Sequence, residues 1–262
     1  MPNQVEIVDG LSKDSTIAEA MRYPVEVFLE PQRNLARARN IGVKNSRNDI
    51  IAFTDSDCVP DRTWIKRIDD CFRRNSTTVG VGGRILPTTP RNHIEAFSGN
   101  VFINEIMQFP LQMQRSCSKF LRGSFTTANC AYRRESLLGI GGFSEFFRNN
   151  GEDIDLYWRM IERFPGRLQY DPSIIVLHSF PDTYVRLTKK YFQYGVASSK
   201  LAKYHLKTPR IDPDIYRKYA KAIIGSMNHS HERGVNSLYL VQLTSHILGK
   251  IYGSVLVRAL NF

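Results

Sequence analysis

The residues of this chain best suited to chemistry are acids. The apolar run Ile50-Ile51-Ala52-Phe53-Thr54 ends in Asp55-Ser56-Asp57, two carboxylates two positions apart. In extended chain, side chains at i and i+2 share a side, so both carboxylates can face one cation at the C-terminal edge of a strand. That edge is where open α/β sheets bind ligands. Oxygen donors of this kind suit Mg2+ or Mn2+, which take one or two carboxylates plus the oxygens of a phosphorylated substrate. The plain alternative is an Asp-rich turn that caps the next helix. A second group, Gly151-Glu152-Asp153-Ile154-Asp155, crowds three acids into the first turn of a helix. The helix dipole favours acids there by roughly 0.3–1 kcal/mol each, and three exceed what capping needs. A carboxylate so placed can act as general base toward a hydroxyl. Arg33, Arg37 and Arg39 open another helix, where positive charge opposes the dipole and anion binding gives it a reason. A solvated basic face is the competing explanation, weaker for Arg39 than for Arg37. Asp9 adds an acid at the end of the first strand, and His178 closes the last one, as a structural histidine or a metal ligand.

Such residues need a frame to bring them together. Val5–Val8, Val25–Leu29 and Ile50–Thr54 are strand-like and alternate with helical patterns at Ser15–Arg22 and Asn34–Ser46. That alternation predicts parallel pairing through right-handed crossovers, and so a layered α/β sheet. Trp64–Asn75 carries Trp64, Ile65, Ile68 and Phe72 on one stripe and reads as an amphipathic helix. Further on, the pattern predicts a strand at Val79–Leu86, a helix at Ile94–Gln108, a strand at Thr126–Arg133, a helix at Gly151–Phe164 and a short last strand at Ile174–Leu177. Residues 1–182 form the predicted α/β domain, and residues 183–262 a basic, helical region. The stretch 183–207 holds six Lys or Arg and no Asp or Glu.

Composition narrows the classes. The chain has 262 residues, 42% of them hydrophobic and 23% charged, which is enough apolar material for a large core and excludes disordered and low-complexity classes. A net charge of +11 favours an anionic partner: a phosphorylated ligand, an acidic membrane face or nucleic acid. Nucleic acid is set aside, because zinc-finger spacing, RNA-binding aromatic motifs and a helix-turn-helix pattern are all lacking. Cysteines 58, 71, 117 and 130 are too sparse for a disulfide framework, and no leader pattern precedes the first strand. Both point to the cytoplasm. Val235–Gly249, 15 residues without a formal charge, falls short of the roughly 20 that a spanning helix needs. The basic helix containing Tyr184, Leu187, Tyr191 and Tyr194 reads equally as a membrane-surface helix at the inner face of the cell membrane or as one packed on protein. Gly249 and Gly253, on an apolar helical face, would permit a close neighbour.

Taken in order, these segments resemble the inverting nucleotide-sugar glycosyltransferases of family 2, with their GT-A fold. The resemblance rests on Val8-Asp9-Gly10-Leu11-Ser12, Ala38-Arg39-Asn40-Ile41-Gly42, Phe53-Thr54-Asp55-Ser56-Asp57, Thr127-Ala128-Asn129-Cys130, Gly141-Gly142-Phe143 and Gly151-Glu152-Asp153-Ile154-Asp155-Leu156. It implies a Rossmann-like mixed sheet flanked by helices, with a C-terminal helical extension. It further implies that Asp9 contacts the nucleotide base or ribose, Arg39 supports the nucleotide or its phosphates, and Asp55 reaches the ribose or sugar. By the same resemblance Asp57 holds Mg2+ or Mn2+ on the diphosphate, with help from His178, and Asn129 lines the sugar and acceptor side. Asp153 is then the base, with Glu152 beside it on substrate hydroxyls. The implied partners are a nucleotide-sugar donor and a saccharide or lipid-linked acceptor, in synthesis of a cell-surface polysaccharide or glycolipid. The alternative is a non-catalytic nucleotide-sugar-binding relative. Two departures stand out: the family's usual opening strand, with its Pro- and Asn-containing turn, has no counterpart before Val5. Asn34 stands where glycine is common, a residue that tolerates left-handed backbone.

Overall fold

The computed structural model describes residues 2–102, 124–206 and 233–258. In chain order its elements are β1 (Glu6–Asp9), α1 (Thr16–Ala20), β2 (Glu26–Leu29), α2 (Leu35–Asn45), β3 (Ile50–Phe53), β4 (Cys58–Pro60), α3 (Trp64–Arg74) and β5 (Gly80–Pro87). They continue with α4 (His93–Val101), β6 (Cys130–Arg133), α5 (Arg134–Gly139), α6 (Glu152–Arg163), β7 (Leu168–His178), α7 (Tyr184–Leu201), a π-helical turn (Ala202–Leu206) and α8 (Arg233–Leu256). The chain divides into two units, Met1–Leu86 with Ile103–His178, and Pro87–Phe102 with Ser179–Phe262.

In the first unit β1 and β2 form a parallel pair, Glu6 opposite Glu26 through Asp9 opposite Leu29. The other strands make a five-stranded sheet in the order β3-β6-β5-β7-β4. The sequence expectation of parallel pairing holds for β1 and β2 and is corrected for β3. β3 runs antiparallel to β6, and β5–β6 and β4–β7 are antiparallel as well. Alternation along the chain reveals only neighbours in sequence; β6 comes much later and offers β3 an equally apolar edge in Cys130-Ala131-Tyr132.

Both faces of this sheet are covered, so β3 and β6 read as unbroken apolar runs rather than alternating ones. Ile51 and Phe53 of β3, with Cys130 and Tyr132 of β6, face a core built with Ala36 and Val43 of α2 and Leu156, Tyr157 and Met160 of α6. Ile50, Ala52 and Ala131 point the other way, toward Trp64, Ile68 and Phe72 of α3 and Ile174 and Val176 of β7. Gly82 of β5 is required by packing: a Cβ there would stand 2.2 Å from the Phe125 ring. The three-residue β4 and six-residue α5 escape sequence patterns because neither is long enough to show a period. β7 starts at Leu168, well before the predicted Ile174, because Pro172 interrupts its apolar run.

In the second unit Ile94, Phe97 and Val101 of α4 pack with Leu187 and Tyr191 of α7 and Leu238 of α8. The side chain of Asn92 caps α4, accepting from the Ile94 and Glu95 amides at 3.0 Å each. Residues 103–108 of the predicted Ile94–Gln108 helix lie outside the described residues. The close neighbour expected at Gly249 and Gly253 is α7. A Cβ on Gly249 would fall 2.0 Å from the Phe192 carbonyl, and one on Gly253 2.9 Å from the Val196 Cα. Among the described residues no helix is long and apolar enough to cross a membrane.

Candidate active site

The acids at the exit of β3 do not sit on extended chain. The strand ends at Phe53, and the Cys58 amide donates to the Asp55 carbonyl at 3.1 Å, closing a four-residue turn. That turn sends the two carboxylates to different partners, which corrects the expectation that both face one cation. Asp55 meets Arg39 at 3.3 Å, whereas Asp57 lies 3.6 Å from His178 Nε2. Two groups of side chains grow from this one turn.

The first gathers around Arg39. Helix α2 is capped by the Asn34 side chain, which accepts from the Arg37 amide at 3.2 Å. Asn34 itself is extended (φ −109°); the left-handed residue is Arg33, at φ 52°. One turn into α2, Asn40 pairs twice with the backbone of Phe143, donating to its carbonyl and accepting from its amide at 2.8 Å each. This clamp fixes α2 against the glycine turn that leads toward α6. The Arg39 guanidinium, its side chain 13% exposed, donates to Glu152 Oε1 and to Asp55 Oδ1. It also lies over the Phe143 ring.

Glu152 and Asp153 open α6 directly after Gly151, whose φ of 93° is natural only to glycine. The third acid of that turn is structural. Asp155 is fully buried and bound by Arg159 at 2.7 and 2.9 Å, and Arg159 also donates to the Ile140 and Gly142 carbonyls. Glu152 is different: its Oε2 is buried and has no hydrogen-bond partner among the described residues. The Asp153 carboxyl is pushed up to about 7, first by desolvation and then by the Glu152 charge, with Arg39 and the Ile154 amide pulling the other way. A carboxyl that releases its proton near neutrality is what general base catalysis requires.

The second group is Asp57, Cys58 and His178, whose ligand atoms all lie within 4.8 Å of one another. β7 points Ile174, Val176 and His178 to one face, so the histidine is the polar end of a buried apolar row. Cys58 sits directly opposite it in the antiparallel ladder. Two ligands of one cation stand roughly 3–3.5 Å apart when metal–ligand bonds are about 2.1 Å. The 3.6 Å between Asp57 Oδ1 and His178 Nε2 fits that spacing with little adjustment. Burial, and then the carboxylates of Asp55 and Asp57, push the Cys58 thiol up to about 12.

Two expected site residues join neither group among the described residues. Asp9, at the end of β1, spends its carboxylate on Ser12, accepting from its amide at 2.7 Å and its hydroxyl at 2.5 Å. Those bonds hold its carboxyl below the ordinary range. Asn129 is buried and bonded to the scaffold. It accepts from Trp64 Nε1 at 2.8 Å and donates to the Arg84 and Ile174 carbonyls at 2.8 and 3.0 Å. Both N–H donors and one lone pair of its side-chain amide are thereby used. Sequence reasoning missed Asn40, Cys58 and Arg159 as contributors. Asn40 stands beside Arg39 inside a segment already singled out, and Cys58 follows Asp57 directly, so adjacency was the available signal.

A mixed sheet covered on both faces, with an acid-bearing turn at the exit of β3, is the architecture of the GT-A fold. The mannosyltransferase PcManGT of Pyrobaculum calidifontis, solved with GDP-mannose and Mn2+, aligns over 95% of this chain and 78% of its own, at a TM-score of 0.58 and 14% identity. Residues 2–141 match the model of glycosyl transferase family 2, more than half of the chain, and the chain belongs to that family. It is 30% identical over 188 residues to the pre-mycofactocin glycosyltransferase of Mycobacterium tuberculosis, covering 69% of this chain and 38% of the relative. To the glycosyltransferase AglE of Haloferax volcanii it is 28% identical over 199 residues, 73% of this chain and 61% of that one. The chain thus spans less than two thirds of the length of these curated relatives.

Proposed function

We propose that this chain is a cation-dependent, inverting glycosyltransferase that moves a sugar from a nucleoside-diphosphate donor to a hydroxyl of a saccharide or lipid-linked acceptor. The observation that carries this reading is the Asp55–Cys58 turn, which ties a carboxyl poised near neutrality to a cation-ready pair. Through Asp55 and Arg39 the turn reaches Glu152 and Asp153; through Asp57 it reaches His178. Family membership, and the GDP-mannose and Mn2+ held by a protein of the same fold, support it.

The roles follow from the chemistry of each group. Asp153 takes the acceptor's proton as its oxygen attacks the anomeric carbon, and one displacement through an oxocarbenium-like transition state inverts the configuration. Glu152, held by Arg39 through one oxygen, offers the unpaired one to a sugar hydroxyl. Arg39 is a positioning residue that supports the donor side by fixing Asp55 and Glu152 together. Asp55 reaches the ribose or sugar, and Asp9 the nucleotide base or ribose. A divalent cation, Mg2+ or Mn2+, would be held by Asp57 and His178 and would neutralise charge on the departing diphosphate. Residues 1–182 carry this work. Residues 183–262 serve placement at an anionic membrane surface, a reading supported by exposed Val185 and Val255 and by the basic Lys189.

The test is incubation with a panel of UDP- and GDP-sugars and Mn2+, following release of free nucleotide and the anomeric configuration of the product. Inverted product, absent with Asp153→Asn, is expected. Donor binding without turnover across the panel, the same in wild type and Asp153→Asn, would place the chain with the non-catalytic sugar-nucleotide binders instead. Retained configuration would overturn the single-displacement mechanism.

A further inference from the structure

We propose that Cys58 supplies a third protein ligand, a thiolate, to the cation held by Asp57 and His178, so that the centre is a mixed oxygen, nitrogen and sulfur site. The inference rests on the reading of Asp57 and His178 as a cation pair and deepens it. Three separate features of the chain converge on the same point. The Asp55–Cys58 turn brings the chain back into the sheet at Cys58, and β4 pairs it with His178 across the ladder. Directly opposed residues on antiparallel strands share a face, so thiol and imidazole lie side by side. One carboxylate oxygen, Asp57 Oδ1, lies 3.9 Å from Cys58 Sγ and 3.6 Å from His178 Nε2. With all three ligand atoms within 4.8 Å of one another, side-chain rotations that draw them in by up to about an ångström let one ion touch each of them.

The donor set carries a consequence for metal choice. Thiolate is a soft ligand and imidazole an intermediate one, whereas Mg2+ demands oxygen and keeps its waters. A site with sulfur in it favours Mn2+, Co2+, Zn2+ or Cd2+ over Mg2+, with Cd2+ gaining most from the sulfur. Coordination is coupled to proton release: as the sulfur–metal bond forms, the Sγ–H proton passes to solvent, and no other co-reactant is needed.

Cobalt(II) reports these statements independently of catalysis. The full chain is titrated with Co2+ in the presence of GDP or UDP, alongside Cys58→Ser, Cys58→Ala and Asp57→Ala, each checked for native circular dichroism. Wild type is expected to develop visible d–d bands together with a near-ultraviolet sulfur-to-cobalt charge-transfer band. Both Cys58 variants should keep the d–d bands and lose the charge-transfer band. Their preference for Cd2+ over Mg2+ should fall about 10-fold or more, the scale on which ligand-shell changes act. Visible bands in wild type without charge transfer, or charge transfer that survives in Cys58→Ser, would overturn the thiolate ligand and leave the Asp57–His178 pair standing. No cobalt spectrum in wild type would overturn the pair and the thiolate together. A Cys58→Ser chain that fails to fold leaves the decision to the wild-type spectrum, which either shows the charge-transfer band or does not.

Discussion

A carboxyl held near neutrality at the mouth of α6 makes a definite demand on pH dependence. Asp153 must be ionised to accept a proton, and its folded pKa of about 7 lies above the ordinary value of 3.8. Transfer measured as kcat/KM should therefore rise with pH, about tenfold per unit below 7, and level off above it. The stability sign is opposite. Between about 4 and 7 the native state binds more protons at this site than the unfolded chain does, so stability falls as pH rises. Asp153→Asn should accordingly cut transfer by roughly 10²–10⁴-fold while raising Tm at pH 8; an unchanged rate would remove Asp153 from the mechanism. Arg39→Met should destabilise by about 3–5 kcal/mol, because it strands Glu152 beside an uncompensated Asp55. It should also displace the residual pH profile toward alkali, since Arg39 opposes the upward shift of Asp153; urea melts and rate–pH curves check both. The acids were legible in the sequence because carboxylates at a strand exit and a helix entry advertise their chemistry. Their division came only from the family resemblance, not from residue spacing, since it depends on one hydrogen bond from the Cys58 amide to the Asp55 carbonyl. The scaffold bonds of Asn129 were hidden for a related reason: residue type does not reveal that three other groups claim its amide.

At the scale of elements, the helices announced themselves through caps and periodicity. Asn34 and Ser46 bracket α2 where the sequence placed its ends, and the Trp64-Ile68-Phe72 stripe of α3 faces its core. Strand partners were far less legible, since pairing depends on which distant edge is free and equally apolar. The placement of α4 with α7 and α8 was likewise hidden, because an apolar stripe does not say which core it joins. The α7–α8 contact offers a sharp test of close packing. Gly249→Val would drive side-chain carbons into the Phe192 backbone, where even a Cβ would meet a carbonyl oxygen at 2.0 Å. A cost of about 1–3 kcal/mol or more is expected, read as a lower Tm. Because α7 and α8 belong to the second unit, Co2+ spectra of the folded variant should match wild type; a lost cobalt signal would contradict that separation.

For the whole molecule, the +11 charge pointed to an anionic partner without choosing one, because net charge sums over surfaces that do different work. Some of that charge is already committed inside the fold, as at Arg39 and Arg159. What remains on α7, at Lys189 beside exposed Val185, predicts sedimentation with phosphatidylserine vesicles, weakened by added salt and absent with neutral lipid. Equal binding to neutral vesicles would remove the electrostatic part of that reading. The central claim, a cation-assisted site for a nucleoside diphosphate, is tested most directly by calorimetric titration of the chain with GDP and UDP, with and without Mn2+. At least one nucleotide should bind, tightly only when Mn2+ is present, and Asp57→Ala should abolish the difference. Binding that ignores Mn2+, or no binding of either nucleotide by folded protein, would contradict the account.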